Sequence, residues 1–272
     1  MSLSFQHFEA LSSLLKQETA VVIDSTREYL IEARLSQLAY SEGFDSITEL
    51  VDAVLCERTT PRAQRVLLAL TTHETSFFRD GAPFEALRTA ILPTMIERRK
   101  NTRSLTIWSA GCSSGQEPYS IAMLLRESFP QLLTWKIEIL GTDINPNLIE
   151  QATQGVYSPL EVKRGLPPQL LKKYFVQHDD TFLLKPEIRS LVEFSERNLI
   201  KPWAPFQADI IFLRNVLIYF DVASRKKVLK AIHKTLTPDG YLIMGTAEST
   251  RHLHPGFASA HIQSTNAYVK AV

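Results

Sequence analysis

Cysteine is nearly absent. The 272 residues contain two, Cys56 and Cys112, far apart and without the paired spacing of a disulfide framework or a zinc site, so no metal site is expected and a reducing cytoplasm is the compartment predicted. Long apolar runs are missing as well: no stretch approaches the ~20 residues that a membrane helix needs, and no charged and apolar leader opens the chain. A soluble, unsecreted protein without direct membrane insertion is the expectation. Glycine (10) and proline (14) are too sparse for a low-complexity chain, and 44% hydrophobic residues point to an ordered globular protein. An overall excess of one charge is lacking too, with 30 Lys+Arg against 29 Asp+Glu. The distribution is uneven: residues 1–80 carry 7 basic against 12 acidic residues, and residues 81–272 carry 23 against 17. Dense basic clusters are confined to Arg98-Arg99-Lys100 and Arg225-Lys226-Lys227, which read as solvated helix ends or faces; a nucleic-acid binder is not expected.

What is present falls into a helical part and an alternating part. Phe5, Phe8, Leu11, Leu14 and Leu15 repeat at helical spacing over residues 5–17, and Tyr29, Leu30, Ala33, Leu35 and Leu38 over 26–40, after a cap at Ser25 or Thr26. Gly43 ends the second pattern; Ser46–Leu55 and Pro61–Leu70 add two short helices, the last with proline in its favoured first turn. Residues 1–70 thus read as a small all-helical domain. The stretch TTHETSFFRD, Thr71–Asp80, is aperiodic, and by its own grammar is an interdomain linker anchored by Phe77 and Phe78. With a helix from Pro83 to Arg99 it makes a joining segment over 71–100.

From residue 101 to the end the grammar is that of a parallel sheet with crossover helices: strand 104–109, helix 117–129, strand 135–142, helix 146–154. The alternation breaks at about 157–197, where Pro159, Pro167 and Pro168, a short helix Gln169–Tyr174 and strand-like runs Thr181–Leu184 and Leu191–Phe194 suggest an inserted β-subdomain. It resumes with the apolar strand Ala208–Leu213, ending at Arg214-Asn215 and VLIYFD. A helix Ala223–Leu236, a turn Pro238-Asp239-Gly240 and strands Tyr241–Met244 and Ala267–Lys270 follow.

The candidate ligand turn is SLTIWSAGCSSGQEPYS, Ser104–Ser120: a strand, a turn holding Gly111 and Gly115, and a helix start. Glycine there lets a ligand approach the backbone, and exposed N–H groups attract polar or anionic groups. Three chemistries compete. A phosphate loop needs Gly-Lys-Ser/Thr, whereas Gln116 and Glu117 follow Gly115, and Glu117 would repel a triphosphate. A nicotinamide fingerprint needs three glycines in another spacing. A doubly wound methyltransferase remains, because its cofactor has no phosphate and its ammonium and sulfonium suit a carboxylate such as Glu117. Asp143, at the end of the second strand, either holds ribose hydroxyls or caps the helix after Asn145-Pro146.

Read together, TTHETSFFRD, SAGCSSGQEPYSIAMLL, GTDINPNLIEQA, FSERNL and FLRNVLIYFD, in that order, closely resemble the CheR family of chemotaxis receptor methyltransferases, over essentially the whole chain. The resemblance implies an α/β fold: a doubly wound class I methyltransferase sheet, with a small N-terminal all-helical domain and an inserted antiparallel β-subdomain. It implies methyl transfer from S-adenosylmethionine to glutamates on cytoplasmic helices of chemoreceptors, giving glutamyl methyl esters and S-adenosylhomocysteine. By match to the family motifs, Thr75 and Arg79 reach the cofactor from the joining segment, Glu117 its amino-acid end, Asp143 its ribose, and Asn198, Leu199, Arg214 and Asn215 the remaining wall, with Gly111 the cofactor-binding glycine of the turn. Tyr219 faces the transferring methyl, and Arg79 and Tyr219 are the catalytic candidates, as orienting groups rather than proton shuttles. A glutamate with a pKa near ~4.3 is already ionised at neutral pH, so no general base is required.

Two departures from the family pattern are visible, and the insertion carries a further signal. His73 stands where the joining segment usually has asparagine, and is kept as a cofactor-contact candidate through one imidazole hydrogen bond. The second N-terminal helix, often basic in the family, has Arg34 as its only basic residue between Tyr29 and Gly43. In family members that tether to a receptor's C-terminal pentapeptide the hairpin loop of the β-subdomain contains extra glycines, whereas Val176–Phe182 here is short and has none, so the resemblance implies recognition without tethering. Alternative readings keep the fold and change the substrate to another protein or a small molecule, or make the chain a non-catalytic, cofactor-sensing docking module.

Overall fold

Hydroxyl caps open most of the early helices. In α1 (Phe5–Thr19), Ser4 Oγ accepts from the His7 N–H at 3.3 Å. In α3 (Ile47–Cys56) Ser46 accepts from Glu49, and in α4 (Pro61–Ala69) Thr60 accepts from Ala63 with Pro61 in the first turn. Between them lies α2 (Glu28–Ser41); of its two expected caps, Ser25 lies outside the described residues, which in this computed structural model are 3–24, 26, 28–262 and 265–271. The apolar faces of these helices meet in a core of Phe8, Leu11, Leu15, Ile31, Leu35, Leu50, Val54 and Val66. They form one compact unit, Met1–His73, to which the distant segment Tyr219–Ser224 also belongs. Within it the Val22 N–H donates to the Tyr219 carbonyl at 2.9 Å, and Lys16 Nζ lies 2.8 Å from Asp221 Oδ2.

The second unit comprises Glu74–Ile218 and Arg225–Val272. It begins with one bent helical run: α5 (Ala82–Ala86), a π turn Leu87–Ile91 and α6 (Leu92–Arg99). Pro93 brings no N–H to the run, and the wider π turn just before it takes up the irregularity. The strands and helices that follow are β1 (Ser104–Ala110), α7 (Gln116–Ser128), β2 (Lys136–Asp143), α8 (Pro146–Gln154), β3 (Val156–Tyr157), α9 (Pro159–Lys163), α10 (Pro168–Tyr174), β4 (Phe175–His178), β5 (Thr181–Leu184) and α11 (Pro186–Arg189). The chain ends with β6 (Val192–Glu196), β7 (Ala208–Leu213), α12 (Val222–Thr235), β8 (Leu236–Met244), β9 (Phe257–Ser259) and β10 (Asn266–Lys270).

Seven strands form the main sheet in the order β6-β2-β1-β7-β8-β10-β9. Strands β6 to β8 are parallel, and β10 runs antiparallel to both β8 and β9. Numbered along the sheet alone, that is 3-2-1-4-5-7-6, the doubly wound class I methyltransferase arrangement. Every residue of β7 is buried, as a central parallel strand covered on both faces requires. A separate antiparallel sheet, β3-β5-β4, carries the expected hairpin.

Two sequence expectations shift. The strand-like run Leu191–Phe194 is β6, paired in parallel with β2 from Ile139↔Val192 to Asp143↔Glu196, so it is an edge of the main sheet and not of the small one. The turn Pro238-Asp239-Gly240 is an excursion inside β8, since Ala208 pairs with Leu236 and Ile210 with Tyr241. Arg99 holds that excursion, reaching Asp209 Oδ1 at 2.7 Å and Asp239 Oδ1 at 2.6 Å.

Candidate functional site

Chain order reverses between β1 and β7, so the crevice outside their carboxyl ends is where a doubly wound sheet takes ligands. The β1 turn is pulled across this edge by its own backbone: the Gly111 and Cys112 N–H groups both donate to the Thr142 carbonyl, at 2.8 and 2.9 Å. Gly111 has φ +81°, and a Cβ there would lie 2.4 Å from Val216 Cγ2, so glycine is required for conformation and for room. Gly115, at φ +90°, starts α7 from the left-handed region, and a Cβ there would lie 2.8 Å from the Ala152 Cβ.

Asp143 closes the other side of the turn. Its Oδ2 accepts from the Ser113 N–H at 2.8 Å and its Oδ1 from the Asn145 N–H at 3.0 Å. It does not cap α8; Asn145 does, accepting from the Asn147 N–H at 3.0 Å. Each carboxylate oxygen keeps a further lone pair for a hydroxyl donor. The Arg197 N–H donates to the Asp143 carbonyl at 2.7 Å, which sets Asn198 just beyond this edge; Asn198 Oδ1 accepts from the Ile200 N–H at 3.1 Å, and Leu199 is buried.

Charge gathers around Arg214, whose side chain is 1% exposed. Nη1 donates to Glu117 Oε2 at 2.8 Å, and Nη2 to Asp80 Oδ2 at 2.7 Å and to the Arg79 carbonyl at 3.0 Å. Glu117 Oε1 accepts in addition from Ser109 Oγ at 2.7 Å. One guanidinium thus sits between two carboxylates, and the group carries one net negative charge. Cys112 is buried beside them; burial, then Asp143 and Glu117, push its thiol well above its ordinary pKa, so it stays protonated and does not compete as a nucleophile.

The segment Glu74–Asp80 does more than link. Phe77 is fully buried, edge-on to Tyr157 at 5.1 Å and Phe175 at 5.7 Å, and the Phe78 N–H donates to Ser120 Oγ at 2.9 Å. So anchored, the backbone holds Phe78 (φ +48°) and Asp80 (φ +69°) in the left-handed region, a strained arrangement that turns Asp80 onto Arg214. Arg79 Nη1 donates to the Glu74 carbonyl at 2.7 Å, and Thr75 is half-buried in the same segment.

Beyond β7, Asn215 is also left-handed, at φ +58°. Glu248, 5% exposed, holds it there: Oε2 accepts from the Asn215 N–H at 2.7 Å and the Gly245 N–H at 2.9 Å. Oε1 accepts from Val216 at 3.0 Å and Leu217 at 2.7 Å. One carboxylate therefore ties the carboxyl ends of β7 and β8 together.

Thr75, Arg79, Gly111, Glu117, Asp143, Asn198, Leu199, Arg214 and Asn215 all belong to the second unit, with Arg79, Glu117 and Arg214 in one hydrogen-bonded group. His73 and Tyr219 belong to the helical unit, where the His73 imidazole meets Thr71 Oγ1 and the Leu68 carbonyl. Sequence reasoning missed Asp80 and Glu248. Asp80 closes a motif already noted, and Glu248 lies in GTAES, a glycine and an acid just past a buried parallel strand; that position was the available signal.

Residues 73–265 match the family profile described as CheR methyltransferase, SAM binding domain. The chain is 39% identical over 259 residues to chemotaxis protein methyltransferase 1 of Pseudomonas aeruginosa, covering 93% of each. It is 37% identical over 262 residues to the chemotaxis protein methyltransferase of Vibrio parahaemolyticus, covering 94% of each. A further relative, the chemotaxis protein methyltransferase of Borreliella burgdorferi, is 36% identical over 254 residues, with 89% of each covered.

Proposed function

The chain belongs to the CheR methyltransferase family, and from that premise we propose that it methylates glutamate side chains on the cytoplasmic helices of chemoreceptors. It is an S-adenosylmethionine-binding chemotaxis methyltransferase. When bound, S-adenosylmethionine supplies the methyl group and leaves as S-adenosylhomocysteine.

The observation that carries the reading is the charge of the Glu117–Arg214–Asp80 group. S-adenosylmethionine bears an ammonium, a sulfonium and a carboxylate, one net positive charge, and the group supplies one net negative charge beside the Gly111 turn. A phosphate ligand would be repelled there. Glu117 takes the ammonium; Asp143, an acceptor only, takes the ribose hydroxyls; Gly111 admits the ligand to the backbone. Asn198, Leu199, Arg214 and Asn215 complete the wall, and Thr75 and Arg79, with His73 before them, approach from the joining segment.

Residues of this chain need move no proton. The substrate carboxylate is ionised at neutral pH, and an anion and a cation combine into neutral products, so charge is lost on the way to the transition state. What helps is positioning and the shedding of water from the nucleophile, with proximity worth up to ~7–11 kcal/mol. Arg79 and Tyr219 orient the groups, and too strong a cationic clamp on the carboxylate would slow the step. The connector between β4 and β5 is two residues, Asp179 and Asp180, which supports recognition without a receptor tether.

Incubation with methyl-labelled S-adenosylmethionine and receptor-rich membranes tests the proposal. Label on a receptor band, released by mild base, is expected; base-stable label, or label only on small molecules, overturns it.

A further inference from the structure

Residues 225–235 of α12 include Arg225, Lys226, Lys227, Lys230 and Lys234 and no acidic residue. The four lysines are exposed and, among the described residues, make no ion pair, while Val228, Leu229 and Ile232 bury the opposite face. A soluble helix of this kind more often interleaves both signs. Beside it the connection from β6 to β7 forms the other wall of a groove of about 320 Å3, lined by Ile200, Trp203, Pro205 and Phe206 and rimmed by Lys227 and Lys234. That volume is at the lower end of ordinary ligand sites, ~300–1,000 Å3.

The groove is built rather than incidental. Gln207 Nε2 donates to the Lys234 carbonyl at 3.0 Å, fastening the connection to α12. Trp203 and Phe206 stand edge-on to the buried Trp108, with ring centroids 5.7 and 5.2 Å away. The Arg197 guanidinium lies over all three rings, 5.3 Å from Trp108, 5.9 Å from Trp203 and 4.9 Å from Phe206, and its Nη1 is buried without a hydrogen-bond partner. The aromatic wall is held in place and backed by positive charge.

We propose that this groove docks an acidic amphipathic segment of the protein substrate, its apolar side chains in the slot between Trp203, Phe206 and α12 and its carboxylates against Lys227 and Lys234. The inference rests on the methyltransferase reading and adds where the substrate is held. Charge complementarity selects the occupant: a segment offering several methyl-accepting glutamates is acidic by composition. The recessed apolar lining selects it further. A nucleic acid would use the lysines and leave the slot empty, and an anionic bilayer needs apolar side chains that project, whereas Trp203 and Phe206 are half-buried. A consequence follows for turnover. Each ester formed removes one negative charge from the partner, so the basic face holds methylated product less tightly than substrate.

The test uses the full chain and three synthetic helical peptides sharing a leucine face: one with glutamates opposite, one with glutamines, one with glutamate methyl esters. Calorimetry should show the glutamate peptide binding at least tenfold more tightly than either counterpart. Its affinity should fall as salt rises, and should drop at least tenfold in the double variant Lys227→Glu, Lys234→Glu. Equal binding of the glutamine peptide, unchanged affinity in the double variant, or stronger retention on anionic vesicles or single-stranded RNA would overturn the proposal. S-adenosylhomocysteine is titrated into the same samples. Unchanged S-adenosylhomocysteine affinity in the double variant confirms that peptide loss is specific to the groove, and failure of the wild type to bind S-adenosylhomocysteine sinks the methyltransferase reading instead.

Discussion

Replacing Arg214 by methionine removes a cation that two carboxylates share. The side chain is 1% exposed, Glu117 is 13% exposed and Asp80 37%. Asp80 can turn into water, but Glu117 is left with the Ser109 hydroxyl as its remaining donor from the group. Taking one partner from a buried pair costs about 3–5 kcal/mol, and Asp80's freedom puts this case at the low end, about 3 kcal/mol. Adding Glu117→Gln removes the stranded charge, so the double variant should cost less than the two single losses combined, with a coupling of about 1–2 kcal/mol. Urea unfolding of the wild type, both single variants and the pair supplies the cycle, with slopes compared so that midpoints report stability. S-adenosylhomocysteine affinity should fall in Glu117→Gln and should not recover in the pair, because the carboxylate that takes the ammonium is gone from both. Strict additivity of the two stability losses would refute the shared-cation argument, and wild-type affinity in the Glu117 variant would remove that residue from the cofactor site.

Glu248→Ala should destabilise by about 3 kcal/mol and weaken cofactor binding, since four backbone N–H groups lose their acceptor; Glu248→Gln, which keeps acceptor capacity on one oxygen, should lose less, and equal loss in both would contradict the cradle. His233 and His254 stack at 4.8 Å. Burial, then Lys270 and His254, lower the first pKa, and burial, then Lys230, the second. The unfolded rings bind protons near pH ~6.5 while the folded rings resist, so stability present above that pH should fall as pH drops through it; His233→Gln, His254→Asn should flatten a Tm profile taken from about pH 7.5 to about pH 5.5. A receptor C-terminal pentapeptide titrated by calorimetry should give no binding heat; tight binding would restore a tether despite the Asp179-Asp180 turn.

The main sheet was legible because its strands are apolar, short and separated by helical periods, and because Gly111, Glu117 and Asp143 lie at strand ends where a doubly wound fold takes ligands. Leu191–Phe194 was misassigned because its apolar run follows a proline-rich stretch, and membership of one sheet or another depends on pairing with β2, which no local pattern carries. Pro238-Asp239-Gly240 has turn chemistry, but pairing on either side places it inside β8, where the register shifts. Asp80 and Glu248 were illegible as partners because their roles arise only when residues more than a hundred positions apart, or two parallel strand ends, are brought together: Asp80 to Arg214, and Glu248 to Asn215 and Gly245. Asn145 rather than Asp143 caps α8 because its side chain sits one residue before Pro146, where the orphan N–H groups begin.

The most direct measurement is tandem mass spectrometry of a purified receptor cytoplasmic fragment after incubation with this protein and S-adenosylmethionine. A methyl group on glutamate side chains, removed by mild base and absent without the cofactor, is the expected result. Methyl groups on lysine, arginine or a terminus, or an unmodified receptor fragment from a protein that binds S-adenosylhomocysteine, would contradict it.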